Sequence, residues 1–296
     1  MTVPSQGRLT PRLRADLTLL FVALIWGIAF IAQRIAVQYV GVFLFTSARF
    51  LIGGLVLLVI CRGRQFDVRK NMPWILLSGS ILAAGSAMQQ AGLATTTAAN
   101  AGFITGTYVV FVPLLLFTFW RQRSQWVIWM AALVTIVGIF LLSGAGALEI
   151  HSGDALELAG AVIWGFHVII IGMAVQKVDV VVFSAGQFLV AGMLNLIPGL
   201  LFESTLVPGF THAWLPVLYA GLISTAIGFT LQAVGQRNTP PADSAIILSM
   251  EAVFAALFGW ILLGEELTLI QIIGCVLIFA SILAVQLLPN NRKNNP

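Results

Sequence analysis

Charge is what this sequence lacks. Only 9% of its 296 residues are Asp, Glu, Lys or Arg, while 59% are hydrophobic. Soluble domains carry about 25% charged and about 45–50% apolar residues, so the polar side chains here cannot coat a water-facing surface. That shortage excludes a soluble enzyme, a nucleic-acid binder and a disordered scaffold together. Cysteine is as scarce: Cys61 and Cys275 are the two present, each in or beside an apolar run. Two cysteines make neither a disulfide framework nor a metal cluster, and each reads as a small buried hydrophobe. The Walker pattern Gly-x-x-x-x-Gly-Lys-Ser/Thr is missing, which removes ATP as a direct energy source. Neither a His-Glu-x-x-His pair nor a His/Cys/Asp cluster occurs, so the expectation is no metal, no cofactor and no enzyme. Gly79-Ser80 lacks any identifiable Ser-His-Asp companions.

Long apolar runs are what the chain has in quantity. A helix needs about 20 mostly apolar residues to cross a hydrocarbon core about 30 Å thick. Ten stretches qualify: 17–38, 42–61, 72–93, 98–120, 126–143, 154–175, 183–202, 212–235, 242–262 and 268–288, separated by Pro, Gly, Asn or charge. Arg8, Arg12 and Arg14 before the first run imitate a signal peptide. That run, however, exceeds the roughly 7–15 residues of a signal core, and no clear cleavage site follows, so it reads as a retained helix. The fold class expected is an all-α membrane protein of ten transmembrane helices.

The net charge of +4 and a pI near 9.5 would fit an acidic partner, but the positions of the basic residues give a different account. With the N-terminus inside, the cytoplasmic segments hold Arg8, Arg12, Arg14, Arg62, Arg64, Arg69, Lys70, Arg121, Arg123, Lys177, Arg237, Arg292 and Lys293, or 13 of the 15 Lys and Arg residues. The opposite loops hold none and carry Glu149, Glu203, Glu265 and Glu266. By the positive-inside rule both termini are cytoplasmic.

The two halves resemble each other. Trp26-Gly27 matches Trp164-Gly165, and Phe50-Leu51 matches Phe188-Leu189, both at an offset of 138. Ile136-Val137-Gly138 resembles Ile272-Ile273-Gly274. Because five is odd, a second copy of five helices must enter the membrane from the opposite side. The result is two inverted-topology five-helix repeats, a common secondary-transporter architecture with the substrate site near the midplane. The division expected is a cytoplasmic tail at 1–16, a first five-helix repeat at 17–143, a second at 154–288, and a cytoplasmic tail at 289–296.

At this point the chain resembles a known family. The Trp-Gly pairs at 26–27 and 164–165, Ala48-Arg49-Phe50, the stretch from Gly92-Leu93 through Tyr108-Val109-Val110-Phe111-Val112-Pro113, and Met250-Glu251-Ala252-Val253-Phe254 followed by Leu263-Gly264-Glu265 look like the EamA type of bacterial drug/metabolite transporter. The similarity spans residues 17–288, with one departure: the family often has Glu-Pro where this chain has Glu251-Ala252. The resemblance implies a ten-helix exporter of amino acids, including aromatic or other apolar ones, and related metabolites across the bacterial cytoplasmic membrane. The partners it implies are a small-molecule substrate and the lipid bilayer, with no nucleic acid, in a monomer or weak homo-oligomer. Two alternatives stand beside this reading. One is a multidrug exporter. The other, of a different class, is a channel or membrane-embedded enzyme, weakened by the missing catalytic constellation.

Charges inside hydrocarbon are costly and each needs an account. Arg34, near the end of the first span, can snorkel to the headgroups. Arg49 lies seven residues inside the second span and should face a cavity or a partner. Glu251 is central in the ninth span. Four readings stand for it: an ion pair with Arg49, a coupling proton carrier, a helix-packing role, and recognition of a substrate amine. Polar stripes run along several spans at helical spacing. They include Ser86, Gln89 and Gln90; Asn100, Thr107 and Tyr108; Trp164 and His167; Ser184, Gln187 and Asn195; and Ser224, Gln232 and Gln236. Interhelical hydrogen bonding accounts for some of them. Together they exceed what packing requires and point to a wetted cavity. The candidate lining is Tyr108, Trp164, His167, Gln89 and Gln187, whose neutral amides and aromatic faces suit a solute that must be released.

Overall fold

The computed structural model describes residues 10–64, 67–95, 98–143, 152–203, 207–263 and 266–287, without the side chains of 98–100, 207, 208, 262 and 263. Arg8, Glu149, Gly264, Glu265, Arg292 and Lys293, and the side chain of Asn100, lie outside that description. Among the described residues every regular element is helical.

The helices are α1 (Pro11–Ala36), α2 (Val42–Ile60), α3 (Val68–Thr95), α4 (Ala98–Gly106), α5 (Tyr108–Trp120), α6 (Trp126–Leu142), α7 (Asp154–Ala174) and α8 (Val180–Phe202). A short α9 (Val207–His212) follows. Then come α10 (Trp214–Leu218), a π-helical segment (Tyr219–Phe229), α11 (Thr230–Gly235), α12 (Pro241–Leu248), α13 (Met250–Leu263) and α14 (Leu269–Leu287). Three groups run on as single rods: α4 with α5, α10 through α11, and α12 with α13.

Eight helical stretches are long and apolar enough to cross a membrane. The α6 helix, at 17 residues, is apolar but shorter. The 28-residue α3 has the length but not the apolarity, because Arg69, Lys70, Asn71, Gln89 and Gln90 dilute it. The chain is therefore a multi-pass membrane protein.

Local chemistry sets the helix ends. Helix α1 begins at Pro11, six residues before the start expected from hydropathy. Thr10 accepts a hydrogen bond from Leu13 N at 3.2 Å, and the proline occupies the first turn, where its missing N–H is harmless. Helix α8 is capped by Asp179, which accepts from the amides of Val181 and Val182 at 3.0 Å. Helix α2 has no cap of its own, and the Glu203 carboxylate at the far end of α8 accepts from Phe43 N and Leu44 N at 2.8 and 2.9 Å. Each end of the α2–α8 pair thus places a carboxylate at the positive end of a helix.

The packing is nearly unchanged when the two halves are exchanged. Helix α2 packs chiefly on α8 and α6 on α14, each half's element against its own counterpart. Helix α7 packs on α3 and on the α4/α5 rod, while α1 packs on the α10–α11 rod and on the α12/α13 rod. Close approaches at glycine repeat the exchange atom by atom. A Cβ added at Gly54 would meet Leu189, and one added at Gly192 would meet Leu51, each at 2.9 Å or less from the leucine side chain. Gly27 lies under Phe254 and Ala255, and Gly165 under Phe111 and Val112. Equivalent positions are therefore 138 apart from α1 to α7 and from α2 to α8, and 143 apart from α5 to α13 (Phe111 to Phe254).

The α3 and α10–α11 rods differ in one respect. Gly79 meets Val190 as Gly221 meets Ile52, an offset of 142, whereas Gly85 meets Trp164 as Gly228 meets Trp26, an offset of 143. One extra residue has entered the second rod between those points, inside the π-helical segment. A widened i→i+5 turn is the form in which a helix absorbs an inserted residue, often at a functional site.

Loops rich in basic residues share one end of the bundle. There Arg64 pairs with Asp179 at 2.8 Å, Lys177 lies 4.7 Å from the centroid of the Trp74 ring, and Gln176 donates to the Arg237 carbonyl. At the same end Arg12 on α1 binds Asp16 and Asp243, both at 2.8 Å, and Thr239 donates to Asp16 at 2.7 Å. This cluster ties α1 to the start of α12.

Candidate functional site

Where the exchange-related rods converge, a cavity of about 50 Å³ remains. Its wall consists largely of exchange-related pairs. Trp26 and Trp164, and Phe30 and Val168, are 138 apart; Gln89 and Gln232, Thr105 and Leu248, and Tyr108 and Glu251 are 143 apart. The approximate two-fold therefore passes through the cavity, and no single helix owns it.

Breaks in two rods place the side chains at its centre. The α4/α5 rod is interrupted at Thr107, whose hydroxyl donates to the Ile104 carbonyl at 2.5 Å, immediately before Tyr108. The α12/α13 rod is interrupted at Ser249, whose hydroxyl donates to the Ile246 carbonyl at 2.6 Å, two residues before Glu251. A hydroxyl that captures a carbonyl three residues back competes with the helical ladder and bends it. Proline is not the breaker here, since Pro113 lies within continuous α5.

The ion pair weighed for Arg49 and Glu251 is not formed. Both are buried and both line the cavity, but Arg49 Nη1 donates to Gln33 Oε1 at 2.9 Å, and Tyr108 OH donates to Glu251 Oε1 at 3.4 Å. The Arg49 guanidinium also lies 4.7 Å from the Phe50 ring centroid. Each charge is held by neutral groups because the side chains reach the cavity from rods that do not pack their charged groups together. Among the described residues neither has an ion-pair partner.

An aromatic cluster forms one wall. Phe229, at the end of the π-helical segment, has its ring 4.7 Å from Trp26 and 6.0 Å from Trp164. Trp26 Nε1 donates to the Ser224 carbonyl at 3.3 Å, while the buried Trp164 Nε1 has no partner among the described residues.

Of the five lining residues expected from the sequence, Tyr108, Trp164 and Gln89 are in the cavity wall. His167 and Gln187 are fully buried one layer behind it. His167 Nε2 lies 3.2 Å from Gln187 Oε1, which also accepts from Ser78 at 2.7 Å, and the imidazole packs edge-on against Trp164 and Phe229. The two residues support the aromatic wall. Trp26, Gln33 and Phe229 were not singled out as lining. The 138-residue offset already carried the signal for Trp26, as the counterpart of Trp164, and Gln33 sits two helical turns further along α1. A second buried carboxylate, Glu157 on α7, accepts from Thr105 at 2.8 Å, and hydropathy alone gave no sign of it because it lies within one turn of the helix start.

Phe30 and Glu251 also line a second, larger cavity of about 400 Å³, which runs past Arg34 and Gln38 to Glu266 and Gln271. Glu251 thus stands between a narrow central chamber and a wide vestibule on the end of the bundle away from Arg12.

The model of the EamA-like transporter family matches residues 13–144 and again 151–287. The chain belongs to the EamA-like transporter family. Two matches in one chain coincide with the two halves exchanged by the packing. A relative from Archaeoglobus fulgidus, named as an uncharacterized transporter, is 33% identical over 93% of this chain and 87% of that protein. The uncharacterized inner membrane transporter YedA of Escherichia coli is 26% identical over 88% of this chain and 87% of its own length. A crystal structure of a protein 22% identical to this chain superposes with a TM-score of 0.80 over 93% of this chain and 97% of that one, a likeness of fold. As an EamA-like protein the chain is a membrane transporter of a small-molecule substrate.

Proposed function

We propose that this protein is an alternating-access secondary transporter that exports amino acids and related metabolites across the bacterial inner membrane. In this reading ten helices form two five-helix repeats of opposite topology, and both termini lie on the cytoplasmic side. The observation that carries it is the central cavity, walled by exchange-related pairs from both halves, as expected when a transporter rocks between mirror-related arrangements around one site.

The chamber of about 50 Å³ is far below the ~300–1,000 Å³ of ordinary ligand pockets. Binding therefore requires the halves to part, on the vestibule side or the Arg12 side. The aromatic wall of Trp26, Trp164 and Phe229 supplies an apolar face, and Gln89, Gln232 and Tyr108 supply hydrogen-bonding groups. That mixture suits a solute with a polar backbone and an apolar side chain. Tyr108 and Trp164 are the residues assigned to direct substrate contact. His167 and Gln187 act by holding the Trp164 wall.

Counterflow of radiolabelled alanine, leucine and phenylalanine in proteoliposomes tests the proposal. Saturable uptake stimulated by internal unlabelled amino acid is expected. Trp164→Ala and Tyr108→Ala should alter apparent affinity or substrate preference while leaving protein yield and monodispersity intact. Flux that never saturates would point to a channel, and wild-type flux from both alanine variants would remove the site assignment. Reporters placed after residue 288 and within 144–153 should register opposite sides of the membrane.

A further inference from the structure

The approximate two-fold makes each half a control for the other. Arg49 on α2 corresponds to Gln187 on α8 at the 138 offset, and Glu251 on α13 corresponds to Tyr108 on α5 at the 143 offset. The same two places in the fold are thus filled once by neutral residues and once by ionisable ones. Gln187 is fully buried, its Oε1 accepts from Ser78 and its Nε2 has no partner among the described residues, and Tyr108 is 4% exposed. Both places are packed with neutral side chains, so filling the space does not require charge and the ionisable groups need another reason.

Both ions line one chamber, and each is underserved there. Among the described residues Arg49 has one hydrogen bond, to a neutral amide, and its Nε has no partner. Among the described residues Glu251 accepts one long side-chain bond, from a phenol. A buried ion held only by neutral groups retains most of its desolvation cost, which a counter-charge of suitable geometry offsets. Arg49 and Glu251 do not reach each other, so the missing counter-charges are not theirs. Guanidinium is matched to carboxylate by its planar fork of donors, and a carboxylate in such a wall accepts from an ammonium group.

We propose that Arg49 and Glu251 recognise the two ends of a zwitterion, Arg49 binding the solute carboxylate and Glu251 its ammonium group, while the remainder lies against Trp26, Trp164 and Phe229. This rests on the amino-acid export reading and adds a basis for specificity. A zwitterion satisfies both buried charges at once. A lipophilic cation or a simple carboxylate satisfies one and leaves the other bare, and a neutral solute satisfies neither. The site therefore selects against monovalent drugs by the charge they fail to cover. Because Arg49 and Glu251 are held apart by Gln33 and Tyr108 instead of being locked to each other, the site does not have to break an internal ion pair each time a solute enters.

The test uses the purified full chain in proteoliposomes and the amino acid giving the largest counterflow among alanine, leucine and phenylalanine. Competitors are that amino acid, its methyl ester and its N-acetyl derivative, with phenylethylamine and 3-phenylpropionate added for phenylalanine. On wild-type protein each blocked or one-charge analogue should compete on the order of tenfold or more weakly, because one buried ion is left unpaired. Arg49→Gln, which installs the residue used by the other half, should lose discrimination against the ester and the amine but keep it against the N-acetyl compound and the acid. Glu251→Gln should show the reverse pattern. Equal competition by the ester and the parent amino acid on wild-type protein would overturn the inference with no variant needed. Loss of both preferences together in each folded variant would overturn it as well, since a merely structural role has that signature. In either case the amino-acid flux itself survives and so does the export reading. No saturable flux of any amino acid would overturn both.

Discussion

Helix α1 meets the α12/α13 rod with charge nearby in two places, and the two are wired differently. At the Arg12 end, Arg12, Asp16 and Asp243 satisfy one another at 2.8 Å and Thr239 completes the set. At the centre, where Gln33 of α1 and Glu251 of α13 line the cavity, Arg49 and Glu251 have among the described residues only Gln33 and Tyr108 as side-chain hydrogen-bond partners. Charges that neutralise each other stiffen a contact and close a path. Charges left to neutral partners keep a site open to an ion from outside. One place is a closed charge cluster and the other leaves its ionisable groups to neutral partners, and the difference lies in partner choice, since both places are largely buried.

The largest change expected from breaking this contrast is at the closed cluster. Asp16 is buried beneath Arg12 and Thr239, so Asp16→Ala removes the charge-assisted hydrogen bonds it accepts from both, leaves Arg12 with Asp243 alone and should lower stability by about 3 kcal/mol. Thermal unfolding in detergent reads this loss, and cysteine labelling from the Arg12 side should rise in step. An unchanged melting temperature would mean that this end is held closed by apolar packing alone.

Next comes the seam around which the halves are exchanged. Gly192→Ala pushes a methyl group against Leu51, whose Cγ would be 2.7 Å away, and Gly54→Ala does the same against Leu189 at 2.9 Å. Overpacking of this kind costs about 1–3 kcal/mol. The two variants should fall together, and Leu51→Ala should restore part of the Gly192→Ala loss while leaving Gly54→Ala unaided. A large disparity between the two glycines would show that the exchange symmetry does not extend to energetics.

Arg49→Ala should cost about 1–3 kcal/mol, because the buried Gln33 side-chain Oε1 loses its donor. Arg49→Gln should cost less, since an amide can still donate and a buried charge is removed. Equal losses in the two variants would contradict the view that Arg49 is a charge unneeded for packing.

The smallest effect belongs to Arg64→Ala. The Arg64–Asp179 pair has side chains 43% and 40% exposed, so its removal should change stability by at most about 0.5 kcal/mol, and by less in high salt. Asp179→Ala should do more, because that carboxylate also caps α8.

Much of the architecture was legible in the residues. The rods α6, α7, α8 and α14 start and stop within three residues of the apolar runs, since hydropathy and helical hydrogen bonding both act over short stretches. The exception is α1, where Thr10 and Pro11 extended the helix through three polar positions that hydropathy had assigned to a tail. The Trp-Gly match found Trp26 and Trp164 as counterparts, and Tyr108, Gln89 and Trp164 do share one cavity. The five-residue difference between the 138 and 143 offsets concealed the correspondence of Tyr108 with Glu251 and of Gln89 with Gln232. The single-residue insertion behind the π-helical segment has no periodic signature that distinguishes it from an ordinary helix.

The sequence by itself determined that this chain is a multi-pass helical membrane protein, where most of its helices lie, and that its halves share a pattern. Those properties follow from composition and from interactions within about one helical turn. Tertiary structure decided which polar residues face the cavity and which, like His167 and Gln187, stand behind it. It also decided that Arg49 binds Gln33 and that Glu251 binds Tyr108 instead of the two ions binding each other. A side chain's hydrogen-bond partner depends on the crossing and rotation of helices far apart in sequence, and those are set by the fit of glycine against leucine across the seam.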